Sequence, residues 1–180
     1  MLTRKRQRED IHEDSSSSLT CRRAAAHVPS FTAKGIYNNE ILYVTTDQFL
    51  KSHQYLILFF YERDFTPRTV ADLKLIESHI EQLSQKAYVM GISTDTELAH
   101  KAFLQYKDPT NGLGDTPLHF LLVSDITRLI TNRFGILDNE SGSAQRAVFI
   151  VESDTQNIVY QHVLKDDQKY PMDEIFRILS

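Results

Sequence analysis

The chain has 180 residues, 41% of them hydrophobic and 24% charged, with a formal net charge of −4. This is enough for one domain with a real core and an appended tail, in an ordinary globular composition. The longest uninterrupted apolar run, Tyr55–Tyr61 (YLILFFY), falls far short of the ~20 residues of a membrane-spanning helix, and a single cysteine, Cys21, excludes an internal disulfide or a multi-cysteine metal cage.

Residues 1–27 carry six basic residues (Arg4, Lys5, Arg6, Arg8, Arg22, Arg23), four acidic ones (Glu9, Asp10, Glu13, Asp14) and the run Ser15–Ser18, without hydrophobic periodicity. Such a segment cannot bury enough surface to offset its ordering entropy, so it reads as a disordered tail. Its basic cluster, Arg4, Lys5, Arg6 and Arg8, fits a nuclear localisation signal and a plain solvated tail equally well. No apolar stretch follows it, so it is not a secretory leader, and the single cysteine suits the nucleus or cytoplasm. The sequon Asn139–Glu140–Ser141 is then expected to be irrelevant. Beyond residue 27 there are 14 basic and 20 acidic residues. An acidic domain repels phosphate backbones, which leaves nucleic-acid association to the tail.

From Val28 onward short strands alternate with helices. Ile41–Val44 reads as a strand, and Leu56–Phe60 as a continuous apolar strand buried on both faces. Val70, Leu73, Ile76, Ile80 and Leu83 recur at helical spacing and predict an amphipathic helix over 67–86. Tyr88–Ser93 is the next strand. Leu98, Ala102, Phe103 and Tyr106 mark a second helix, ended by the Pro- and Gly-containing KDPTNGLG. Phe120–Val123 is a strand, and Ile126, Leu129, Ile130 and Phe134 form a helical stripe stopped by Gly135. Ala147–Val151 and Asn157–Leu164 form a strand pair joined by ESDTQ, before a last helix with Met172, Ile175, Phe176 and Leu179 on one face. This order argues for a three-layer α/β domain over residues 28–180, with helices flanking a mixed central sheet in the thioredoxin-like plan. The seven histidines, at 12, 27, 53, 79, 100, 119 and 162, show no i+2, i+3 or i+4 pairing. Local spacing therefore supports no metal site. No cofactor is expected, and His119 and His162 read as structural.

The segments LFFYERDFT, GLG, SDITRLITNRFGIL and GSAQRAVFIV, with the opening VPSF at Val28–Phe31, resemble those of typical two-cysteine peroxiredoxins, in the same order over residues 28–180. The resemblance implies the peroxiredoxin version of the thioredoxin-like fold. It also implies an active-site corner of pattern P-x-x-x-T-x-x-C, where a cysteine thiolate in the first helical turn reduces hydroperoxides. Carried onto this chain, the proline position is Glu62, the threonine is Thr66 and the cysteine position is Thr69. The family's peroxide-orienting arginine falls on Arg146. The resolving-cysteine extension finds no counterpart before Ser180.

A thiol titrating near ~8.5 can be drawn below neutrality by a helix N-terminus and a neighbouring cation, and its sulfur cycles through a sulfenic acid. A threonine hydroxyl does neither, and no histidine or lysine lies between Phe59 and Leu73 to act as its base. Thr66, Thr69 and Arg146 therefore read as a vestigial peroxidatic site. Two helix starts are open: Thr69 as cap with Asp72 three residues on, or Thr66 as cap followed by Pro67. Arg146 is expected to pair with Asp64 or Glu62, or else the corner still holds an anion or a peptide. GLG at Gly112–Gly114 reads as a relic loop.

The leading expectation is a catalytically inactive, homodimeric binding module for a protein partner. The resemblance places the dimer edge on the last strand, at Ile158, Val159, Tyr160, Gln161, His162 and Val163. The alternative is a thiol-dependent peroxidase using an unusual nucleophile such as Cys21, or another activity at Thr69. The third is nucleic-acid association through the basic tail.

Overall fold

The computed structural model describes residues 26–180 apart from Asp115. The basic cluster at 4–8, Cys21 and nearly all of the tail lie outside the described residues. Seven strands, β1 (Thr32–Tyr37), β2 (Glu40–Thr45), β3 (Tyr55–Phe60), β4 (Ala87–Ser93), β5 (Leu121–Ser124), β6 (Ala147–Glu152) and β7 (Asn157–Val163), form one sheet in the order β2-β1-β5-β4-β3-β6-β7. The sheet is mixed: β3 pairs parallel with β4 and antiparallel with β6, and β4 pairs parallel with β5. Among the described residues the helices are α1 (Thr46–Leu50), α2 (Pro67–Ser78), α3 (Ile80–Leu83), α4 (Glu97–Gln105), α5 (Leu129–Arg133) and α6 (Met172–Leu179).

Strand β3 shows why the domain has three layers. Side chains alternate across a strand, so Ile57 and Phe59 pack into a core with Leu73 of α2, Phe103 of α4 and Ile175 of α6. Leu56, Leu58 and Phe60 face the other way, packing with Leu50 of α1 and Ile130 of α5. All five are fully buried. The three-layer, mixed-sheet expectation is met.

Several elements differ from the sequence expectation. The segments β1 and α1 were not foreseen. The helix expected over 67–86 breaks at His79 into α2 and α3. There Ser78 Oγ donates to the Leu75 carbonyl at 2.7 Å and His79 Nδ1 lies 2.9 Å from the same oxygen, so side chains compete for a helical acceptor. The stripe at Ile126–Phe134 becomes only α5. Arg128 adopts φ 59°, and the Asp125 carboxylate accepts the Ile130 and Thr131 N–H groups at 3.1 and 2.7 Å. Residues 125–128 thus form a turn, and Ile126 and Leu129 are exposed.

The outer strand β7 exposes Val159, Gln161 and Val163. Its first residues are covered by the segment just before β1: Val28 N–H donates to the Gln156 carbonyl and Ile158 N–H to the Ala26 carbonyl, both at 2.9 Å. Ile158, expected in a dimer edge, is therefore already engaged along its backbone. In the GLG loop a β-carbon on Gly112 would stand 2.2 Å from the Tyr106 carbonyl oxygen, and Gly114 has φ 63°. That loop requires glycine at both positions.

Candidate active-site corner

The chain leaves β3 at Phe60, crosses the loop Tyr61–Thr66 and enters α2 at Pro67. Thr66 is the cap: its backbone is extended (φ −115°, ψ 144°), and its Oγ1 accepts the Thr69 N–H at 3.1 Å. Pro67 follows at the first helical position, where a missing N–H costs nothing. Of the two starts open in the sequence, the structure has the one at Thr66.

Thr69 is 2% exposed. Its hydroxyl donates to the Arg63 carbonyl at 2.7 Å and accepts from Thr66 Oγ1 at 3.0 Å. The single proton of the hydroxyl is thus spent on closing the loop beneath it. A nucleophilic oxygen would need that proton on a base, and a backbone carbonyl is not one.

The antiparallel register Phe60↔Ala147 places Arg146 beside the exit of β3, against the second turn of α2. Its partner is Asp72, in correction of the pairing with Asp64 or Glu62. Nε donates to Oδ2 at 2.7 Å and an Nη2 hydrogen to Oδ1 at 2.8 Å. Arg146 also donates to the carbonyls of Gln168 at 3.0 Å and Lys165 at 3.4 Å, and lies over the Tyr170 ring, 5.6 Å from its centroid. Tyr170, fully enclosed, donates its hydroxyl to the Phe60 carbonyl at 2.7 Å. Burial pushes the Asp72 carboxyl up and the guanidinium opposes it. Two short charge-assisted bonds keep the pair ionised near neutrality. Asp64 lies elsewhere, under the loop, with His100.

The structure therefore brings Thr66 and Thr69 into contact and ties Arg146 to the same helix through Asp72. A cavity of about 380 Å³ opens beside them, lined among others by Glu62, Arg63, Asp138, Ser143, Arg146 and Asp166; neither threonine lines it. With Arg146 neutralised by Asp72, the charged side chains left on the wall are three carboxylates and Arg63, a poor setting for an anion. No group of three metal-ligating side chains occurs among the described residues. Tyr170 was not singled out from the sequence, and Asp72 was read in a different role. The only signal for Asp72 was its position one turn beyond Thr69, which read as a capping carboxylate.

A protein-family profile described as the AhpC/TSA family matches residues 24–161. The chain is 33% identical over 129 residues to the chloroplastic 2-Cys peroxiredoxin BAS1 of Spinacia oleracea, covering 70% of this chain and 47% of the relative. It thus spans about half the length of that relative. Among solved structures, the Plasmodium vivax 2-Cys peroxiredoxin in its reduced form superposes with a TM-score of 0.78 at 23% identity, over 86% of this chain and 93% of the other. The mitochondrial 2-Cys peroxiredoxin of Plasmodium falciparum does so with a TM-score of 0.77 at 27% identity, over 86% and 90%.

Proposed function

The chain belongs to the AhpC/TSA family of peroxiredoxins, and from that premise we propose that its folded domain is a binding module whose corner no longer reduces hydroperoxide. The observation that carries this reading is Thr69. It stands where the family motif has its thiolate, and its hydroxyl proton is committed to the Arg63 carbonyl at 2.7 Å. Oxygen at that position forms no sulfenic intermediate. The bidentate Asp72–Arg146 pair adds to it, because the guanidinium that would orient a peroxide is held by an internal carboxylate.

The second reading is a thiol-dependent peroxidase working through Cys21, and the comparisons favour it over an inactive scaffold: the relatives and structural neighbours are named peroxiredoxins. Such an enzyme needs the tail to bring its thiol to a corner built for a different residue. Steady-state hydroperoxide consumption by the full chain, with thioredoxin or dithiothreitol as reductant, separates the two. The binding reading expects no turnover. Turnover lost in Cys21→Ser supports the peroxidase, and turnover that survives the substitution refutes both.

The proposal extends to assembly and place. Residues 1–27 act as a tail and 28–180 as the domain. Two copies pair through the outer edge of β7, where Val159, Gln161 and Val163 are exposed. A homodimer presents two basic tails and so gives bivalent capture of a protein partner in the nucleus or cytoplasm. Nucleic-acid association through the tail is a distinct outcome, recognised by binding that falls steeply with salt.

A further inference from the structure

The sheet ends at β7, and among the described residues no named strand lies outside it. Its outer edge can be read group by group. Leu164 N–H donates inward to the Arg146 carbonyl at 2.8 Å. Along an antiparallel pair such bonded positions alternate with positions whose N–H and C=O point away. Val163 opposite Ala147 and Gln161 opposite Phe149 are therefore the residues that turn their backbone groups outward. Between Ile150 and Val151 the register shifts, which puts one extra residue, Val159, into β7. Below that bulge the outward position passes to Ile158, whose N–H donates to the Ala26 carbonyl at 2.9 Å.

At this lower end a ladder on the outer edge has already begun. His27 forms an antiparallel bridge with Asn157, flanked by the bond from Val28 N–H to the Gln156 carbonyl at 2.9 Å. An antiparallel bridge sends the residues before His27 up the length of β7, toward Val163. With the bulged residue passed over, regular continuation sets Ala24 against Gln161 and Arg22 against Val163. The four steps from Ala26 to Arg22, at about 3.3 Å each, span about 13 Å. That matches the run of β7 from Ile158 to Val163 less its extra residue. The segment Cys21–Ala26 (CRRAAA) contains neither proline nor glycine, so each residue has an N–H to give to a ladder. Charge agrees with this direction. Beyond Val163, Leu164 and Asp166 line the cavity that also carries Glu62 and Asp138, so Arg22 and Arg23 are brought toward three carboxylates.

We propose that residues 22–25 continue the ladder begun at Ala26 and cover the outer edge of β7 as a further strand, so that the occupant of this edge is the chain's own tail. The first rungs are in place, so each added residue costs only its own ordering. A second copy must also give up translational and rotational freedom to reach the same groups. The strand does not depend on the binding-module reading, but it changes what dimer formation involves. A second copy gains the edge only by lifting this segment, and the tail then sets the balance between self-pairing and pairing of copies.

Cys21, the single thiol of the chain, lies one residue beyond the last rung and carries a nitroxide label in the full-length protein. In dilute, isotope-labelled protein the nitroxide is expected to broaden the amide signals of Gln161–Leu164 several-fold more than those of β2 at the opposite edge of the sheet. When the nitroxide is placed only on chains without isotope and mixed with isotope-labelled chains, no such broadening is expected. Ala24→Pro removes one ladder donor. It is expected to abolish the contrast and to lower amide-exchange protection at Gln161 and Val163 by about fivefold, the factor tied to one hydrogen bond. Broadening that is even across the sheet, that appears in the mixed sample, or that survives Ala24→Pro overturns the strand. Sedimentation velocity on the same samples reads the dimer separately: an Ala24→Pro chain that loses the contrast yet stays monomeric supports the strand and counts against pairing of copies through β7.

Discussion

Replacing Arg146 by methionine separates a structural guanidinium from one held ready for a ligand. The side chains of Arg146 and Asp72 are only 5% and 7% exposed, so the substitution leaves a buried carboxylate without its two charge-assisted donors. It also removes the donors to the Gln168 and Lys165 carbonyls. Breaking a buried pair by deleting one partner costs about 3–5 kcal/mol. With a urea m-value of about 2 kcal/mol/M, that lowers the unfolding midpoint by about 1.5–2.5 M at unchanged slope. The double variant Arg146→Met/Asp72→Leu removes both charges, and is expected to recover about 2 kcal/mol relative to the sum of the single changes. Urea unfolding followed by circular dichroism gives all four corners of the cycle. A cost below ~1 kcal/mol for Arg146→Met, or strict additivity in the double variant, would refute the structural assignment of this pair.

Thr66→Ala removes the α2 cap and should cost about 1 kcal/mol, seen as a lower midpoint in thermal melts. Thr69→Val keeps the shape but orphans the Arg63 carbonyl, at about 1–3 kcal/mol; an unchanged melt would mean that this hydroxyl bond is not made. The double change Val159→Lys/Val163→Lys on the outer face of β7 should convert a dimer into a monomer in sedimentation velocity, since edge lysines oppose strand addition. A dimer that persists would place the interface elsewhere.

The parts of the fold that could be read from the sequence are those with local causes. A helix start near Thr66–Pro67 is one, with Thr69 left open as a second cap, and the apolar runs of β3 and β6 and the amphipathic α6 are others. Strand β1 escaped because Lys34 and Gly35 interrupt its apolar pattern, and α1 because five residues carry too little periodicity. The break at His79 depends on side-chain competition for a single carbonyl, and the shortness of α5 on where Asp125 points; neither has a periodic signature. At the candidate site, the resemblance assigned Thr66, Thr69 and Arg146 residue by residue, whereas the partner of Arg146 was not legible. Ion-pair choice is tertiary: Asp72 wins because the β3–β6 register delivers Arg146 to the flank of α2, while Asp64 is drawn under the loop by His100. His100 gave no local signal either, since the acceptors on its two nitrogens come from separate segments of the chain.

The central claim is that the folded domain contributes no chemistry toward peroxide. It is tested most directly by the second-order rate of hydrogen peroxide with the chain's single thiol, Cys21, measured by competition kinetics on native protein and on the same protein in urea. Equal rates, both those of an ordinary free thiol, are the predicted result. A native rate many times that of the unfolded chain would contradict it, because only a built site can accelerate that reaction.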